Sequence, residues 1–309
     1  MAANNKSRYV KVNPEEVTFG VEIECRLPDL FIHEQRISIG SYHHGDLLPP
    51  PFPIGWNAQE DGSLGYRGSG YTPLEIVSPV LRGSAGIRQV VEVMEILRNA
   101  GMHVNSHCGF HVHVGVRSLL GASIEESPVA VRFLHRLLNL VSVYEFGMFA
   151  TINDHHRIGN TYCESVKSQS AKLIATTDSM DSVKQKIGHR YHTLNLVNLL
   201  HRKMTVEFRL FAGTTDPMQA VGYITTAIGL CHRAAEFPQA PQFDANTTCT
   251  DWIKAGADLL FALGQTTKSG HRYGWPVETW KAFGAAVTQL QIENAKAFAR
   301  TMNRRHQQA

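Results

Sequence analysis

The sequence predicts an α+β fold: a largely antiparallel sheet covered on one face by helices, with a helical C-terminal third. Two patterns predict it. In the first two-thirds, short runs alternate apolar and polar residues with period two, as in Phe19-Gly20-Val21-Glu22-Ile23-Glu24-Cys25. The last third carries apolar residues at helical spacing behind the starts Asp216-Pro217 and Pro276. A third observation narrows the class. No G-x-G-x-x-G follows a strand pattern and no G-x-x-x-x-G-K-[ST] is present, so a doubly wound nucleotide fold is not expected.

Each element follows in order. Residues 1–16 read as a flexible arm, and Val17–Leu27 as a strand. Pro28–Gly70, rich in Pro, Gly, His and Tyr, reads as a long irregular segment of the kind that forms binding loops or lids. Pro73–Pro79 is a short strand. Ser84 is the expected N-cap of a helix running to Asn99, stopped by Gly101. Cys108–Arg117 alternates as a strand, and Ser127-Pro128 opens a helix to about Phe149. Asn153–Ser170 is a polar loop holding Arg157, Asn160 and Tyr162. Tyr191–Leu199 and Thr205–Phe211 are strands around a turn at Arg202-Lys203. Helices are expected from Pro217 to near Phe237, over Cys249–Leu263 and over Pro276–Asn303.

Composition bounds the function. A chain of 309 residues with 43% apolar and 18% charged residues is an ordinary globular protein. A net charge of +3 is too small to imply nucleic-acid binding. Met1–Asn13 is polar, without the apolar stretch of a secretory signal, and no apolar run reaches membrane-spanning length. The expectation is a cytoplasmic protein with neither membrane nor nucleic-acid partners. The five cysteines are scattered and form no C-x-x-C pair, which argues against a disulfide framework or a four-cysteine zinc site.

The chemistry lies in the strands. Successive strand side chains point to opposite faces, so Glu22 and Glu24 share one face and Val21, Ile23 and Cys25 the other. The same holds for His111 and His113 against Phe110, Val112 and Val114, and for Glu207 and Arg209 against Val206, Phe208 and Leu210. A short fourth strand adds Glu75. If the apolar faces pack under helices, the opposite faces gather Glu22, Glu24, Glu75, His111, His113, Glu207 and Arg209. Crowded carboxylates stay ionised only when cations neutralise them, and an oxygen-rich set with histidine suits Mg²⁺ or Mn²⁺. Taken singly, each motif has a plain alternative: a solvated E-x-E face, a structural or zinc-binding H-x-H, a cross-strand E-x-R ion pair. Four such strands, each backed by an apolar face, favour one shared site.

Phe19–Glu24, Glu60-Asp61-Gly62-Ser63-Leu64, Leu74–Pro79, Cys108–Val114 and Val206–Arg209 together resemble the signature of the amidoligase family. These are carboxylate–amine ligases related to glutamine synthetase and glutamate–cysteine ligase. The resemblance spans about residues 17–215 and implies a curved, glutamine synthetase-like sheet with helices on its convex face. It implies a catalytic core over 17–215; the residues themselves suggest the arm 1–16 and a helical part 216–309 packed on the same domain. It implies ATP with Mg²⁺ or Mn²⁺, a small-molecule or peptide carboxylate, and an amine. Carried over by position, Glu22, Glu24, Glu75, His111 and Glu207 would hold metal, and His111, His113 and Arg209 would meet the nucleotide phosphates. Arg157 and Arg190 would meet phosphate or the substrate carboxylate. Asp61 or one of the histidines would be the general base. The competing expectations are a metal-dependent amide or ester hydrolase built on His111 and His113, and a non-catalytic domain that keeps the scaffold.

Overall fold

The computed structural model describes residues 11–65, 70–120, 128–200, 204–236, 246, 248–266 and 272–308. Its strands are β1 (Thr18–Pro28), β2 (Asp46–Leu47), β3 (Asn57–Gln59), β4 (Tyr71–Val77), β5 (Leu81–Arg82), β6 (Phe110–Gly115), β7 (Leu194–Asn195) and β8 (Thr205–Phe208). They form one sheet in the order β2-β3-β4-β1-β6-β8-β7, with β5 pairing the start of β1, and every strand pair is antiparallel. The helices are α1 (Asp29–Glu34), α2 (Gly83–Asn99), α3 (Val116–Leu120), α4 (Pro128–Ile152), α5 (Lys167–Thr176), α6 (Met180–Lys186), α7 (Pro217–Glu236), α8 (Trp252–Ala262) and α9 (Val277–Gln308). The mixed helix-and-sheet class and the antiparallel pairing are those expected.

The core lies between the sheet and the helices. Val21, Ile23 and Cys25 of β1, Phe110, Val112 and Val114 of β6, and Val206 and Phe208 of β8 are all 1% exposed or less. Helix α7 packs on β6, where Phe110 meets Tyr223 with ring centres 5.6 Å apart. Helices α2, α4 and α9 pack around α7, and α8 fills in against α4 and α9. Covered on nearly every side, α7 is apolar nearly all round, as a helix inside a core must be. None of the described helices is long and apolar enough to cross a membrane.

Several boundaries differ from expectation for local reasons. The strand expected over Cys108–Arg117 stops at Gly115, and Val116 begins α3. There the Ser118 hydroxyl accepts from the Thr18 N–H at 2.9 Å and donates to the Gly115 carbonyl at 2.6 Å, taking over the ladder's bonds. Ser84 is not an N-cap: it lies inside α2 and its hydroxyl bonds Glu15 at 2.7 Å. The strand expected over Tyr191–Leu199 shrinks to Leu194–Asn195, because the Asn195 side chain accepts from the Val197 N–H at 2.8 Å and turns the chain. Of the expected arm, residues 11–16 are tied down. Val12 is buried, its N–H donates to Glu236 at 2.9 Å, and Pro14–Glu16 form a 3-10 turn. Residues 1–10, the Arg202-Lys203 turn, Ser127 and Phe237 lie outside the described residues.

Candidate active site

The strand register brings the polar residues together. Gln59, Glu75 and Glu24 lie directly across from one another on β3, β4 and β1. Glu22 stands opposite His111, and His113 opposite both Gly20 and Glu207. Glu207 in turn faces Asn195 on β7. Because each residue is two positions from the next along its strand, all of them share the face turned away from the helices.

The contacts are close. His111 Nδ1 lies 3.0 Å from Glu22 and 3.7 Å from Glu207, and its Nε2 lies 3.4 Å from Glu24. His113 Nε2 lies 3.0 Å from the other oxygen of Glu22. Arg209 Nη1 donates to Glu207 at 2.5 Å, and Asn195 and Asn198 donate to the second Glu207 oxygen at 2.6 and 3.2 Å. The Gly109 N–H donates to Glu24, and Gln59 Nε2 donates to Glu75. A Cβ at Gly109 would lie 2.9 Å from His111 Nε2 and 3.2 Å from Glu24, so any side chain there would displace both.

Electrostatics divides the acids. Burial opposes ionisation of Glu22, yet His113 and His111 hold its carboxyl well below the usual carboxylate range. Burial likewise opposes the charge on Glu207, and His113 with Arg209 lowers it. Glu75 goes the other way. Burial, then the charges of Glu22 and Glu24, raise it well above the ordinary value. Glu24 and Glu75 are two carboxylates directly opposite on adjacent strands, a pairing that repels unless something positive lies between.

The side chains present fit hard divalent cations. Three overlapping sets, Glu22–Glu75–His111, Glu22–His113–Glu207 and Glu24–Asp61–Glu75, each bring three ligand atoms within 4.8 Å of one another. Oxygen predominates in all three, which suits Mg²⁺ or Mn²⁺ better than zinc. The nearby thiols do not compete, because burial raises Cys25 well above its ordinary value and raises Cys108 as well. A further set, Asp154–His155–His156, is a run of consecutive residues around a 3-10 turn away from this face.

These groups border a basin of about 870 Å³. Of the residues expected from sequence, Glu22, Asp61, Glu75, His111, His113, Arg190, Glu207 and Arg209 line it. Asp61, expected as a general base, also caps the turn at Gly62 through the Ser63 N–H at 2.7 Å. Glu24 sits just beneath, turned toward Gly109 and His111. Arg190 stands at the rim, its Nη2 donating to the Tyr42 hydroxyl at 2.8 Å and its guanidinium 5.3 Å from the Tyr191 ring.

Arg157, expected to meet phosphate or the substrate carboxylate, is the exception in its placement. It is 3% exposed and does not line the basin. Its guanidinium donates to the carbonyls of Arg209 and, at 3.2 Å, Leu210. Arg157 therefore holds the backbone just past the end of β8, from which Arg209 projects. Just before β7 the Thr193 carbonyl accepts from the Arg209 N–H at 3.0 Å, and buried Glu145 accepts from the Thr193 hydroxyl at 2.6 Å. Sequence reasoning missed Tyr42, His43, Gln59, Tyr191, Asn195 and Asn198 as basin residues. Only Gln59 and Asn195 lie on strands, each in a run too short to show alternation.

The family model described as putative amidoligase enzyme matches residues 57–231. The matched span contains Asp61, Glu75, His111, His113, Arg190, Glu207 and Arg209, whereas Glu22 and Glu24 precede it. No curated protein matches the chain. Among solved structures, the crystal structure of a bifunctional glutathione synthetase from Pasteurella multocida matches at 11% identity and a TM-score of 0.45. The match covers 93% of this chain and 53% of that one, so the chain spans about half the length of that structure.

Proposed function

We propose that this chain, which belongs to the family described as putative amidoligase enzymes, joins a carboxylate to an amine in a reaction that consumes ATP and requires Mg²⁺ or Mn²⁺. The observation that carries the reading is one face on which four acids, two histidines and Asp61 form three overlapping ligand sets, with Arg209 hydrogen-bonded to one of those acids. We assign residues 17–215 to the catalytic core and 216–309 to a helical part of the same domain, on a glutamine synthetase-like sheet with helices on one side.

A carboxylate is a poor electrophile until its oxygen is made into a leaving group. Transfer of the γ-phosphoryl group of ATP forms an acyl phosphate and releases ADP. The amine then attacks the acyl carbon, and phosphate leaves as the amide forms. Divalent cations held by Glu22, Glu24, Asp61, Glu75, His111, His113 and Glu207 supply the positive charge that the phosphates need. Arg209 adds a planar fork of donors beside the transferring group. Asp61 or one of the histidines takes the proton from the amine. The acid, a small molecule or a peptide, enters from the side lined by Arg190. A hydrolase built on His111 and His113 has less support, because the acids outnumber the histidines and burial disfavours the nearby thiolates.

The test is a screen for phosphate release from ATP across pairs of acids and amines, with product mass as the readout. The expected outcome is release that requires both partners and Mg²⁺ and yields a product lighter by one water than their sum. Cleavage of amides or esters without ATP would overturn the reading.

A further inference from the structure

The polar face does not end at the acids. Along β1, Thr18 and Gly20 precede Glu22 on the same face; on β6, Gly115 follows His113; on β8, Thr205 precedes Glu207. The register sets Gly20 opposite His113 and Gly115 opposite Thr205. Where the side chains shrink, a second cavity of about 210 Å³ opens. It shares Glu22 and His113 with the basin, and among the described residues they are the only charged or titratable groups lining it. Elsewhere its walls are apolar or hydroxylic, with Pro79 and Val80 at one edge. Val80 is 81% exposed, an apolar lip. The buried Thr205 hydroxyl at the opposite edge has no hydrogen-bond partner among the described residues.

We propose that this slot receives the base of the nucleotide, an inference that rests on the ligase reading. The basin is crowded with charge and suits phosphates, carboxylate and amine; an uncharged ring gains nothing there. The slot is the uncharged space that opens directly onto Glu22 and His113, two of the three members of the Glu22–His113–Glu207 set. A ring lodged in it directs its phosphates onto that set and leaves the Arg190 side of the basin to the acid. Gly20 gives a floor without a side chain, which suits a planar group, while the Thr18 hydroxyl lies over Gly115. The unpaired Thr205 hydroxyl offers a hydrogen bond to a ring edge, which favours a heteroaromatic ring over an alkyl chain.

The test compares ATP with inorganic tripolyphosphate, both with Mg²⁺, on the full chain carrying Gly20→Val. A Cβ at Gly20 meets nothing closer than Ser78 Oγ at 3.5 Å, so the backbone accepts the change and the methyl groups enter the slot. Valine also suits a strand. ATP affinity is expected to fall at least about tenfold while tripolyphosphate affinity stays unchanged. Val80→Asp, at an exposed position, should give the same split and stands in if Gly20→Val does not fold. Unchanged ATP affinity in both variants, or an equal loss of ATP and tripolyphosphate, would overturn the slot alone. If wild type binds neither ligand with Mg²⁺, the ligase reading fails and the slot with it.

Discussion

The floor of the basin and its rim are built on different principles. The floor is carried by long strands whose register fixes each acid and histidine against a neighbour, as Glu22 is fixed against His111 and His113 against Glu207. The rim, with Tyr42, His43, Arg190 and Tyr191, is carried by connecting segments and held by few bonds, such as Arg190 to Tyr42. Ligands for small cations must be placed within a fraction of an ångström, and only packed secondary structure does that. Substrate contacts tolerate more adjustment and sit on loops. On this account, changes to the floor should abolish the chemistry and changes to the rim should mainly alter substrate affinity.

The largest expected effect is on the floor. Glu22→Ala or Glu24→Ala should lower turnover by at least about a thousandfold. The metal-free variants should stay folded, with Glu22→Ala melting below wild type because His113 and His111 favour its carboxylate in the folded state. Circular dichroism melts in EDTA beside turnover measurements check both halves. A variant that unfolds would show that these glutamates are structural partners, and the contrast between floor and rim would lose its basis.

The same contrast explains what could be read from sequence. Alternation in β1, β6 and β8 exposes which residues share a face, so Glu22, Glu24, His111, His113, Glu207 and Arg209 were legible from a period of two. Asp61 and Arg190 came only from the resemblance, since nothing periodic marks a loop residue. Arg157 also came only from the resemblance, and its burial was not legible. A buried guanidinium that donates to two carbonyls cannot be told by sequence from one at the surface of a site. Asn195 was missed because β7 has two residues, too few for any pattern, and its strand is ended by its own side chain. The helix order was legible, whereas the burial of Glu145 at a backbone junction depends on distant segments meeting.

The next effect is at the junction of floor and support. Arg209→Lys keeps the charge and loses the fork of donors, so kcat should fall about a hundredfold with the Kd for ATP changed much less. Arg157→Gln should lower kcat about tenfold through misplacement of Arg209. In a double-mutant cycle the Arg157 change should cost almost nothing further in the Arg209→Lys background. Additive losses would mean that Arg157 acts on its own. Near-wild-type turnover of Arg209→Lys would reduce Arg209 to an ion pair with Glu207.

The smallest effect is on stability. Glu75 has a raised carboxyl, so the metal-free folded state binds more protons than the unfolded chain above the ordinary carboxylate range. Stability must then fall as pH rises through that window. Glu75→Gln removes the penalty and, in EDTA at neutral pH, should stabilise by about 1 kcal/mol, an advantage that vanishes in acid. A variant less stable than wild type at neutral pH would mean that the acids are not frustrated without metal.

The central claim is that the strand-borne acids and histidines hold divalent cations for a nucleotide. Calorimetric titration of ATP into the EDTA-treated protein, with and without Mg²⁺ or Mn²⁺, tests it most directly. Binding only when the cation is present, and its loss in Glu22→Ala, is the predicted result. Zinc retained through purification, with no nucleotide binding under any of these conditions, would contradict it.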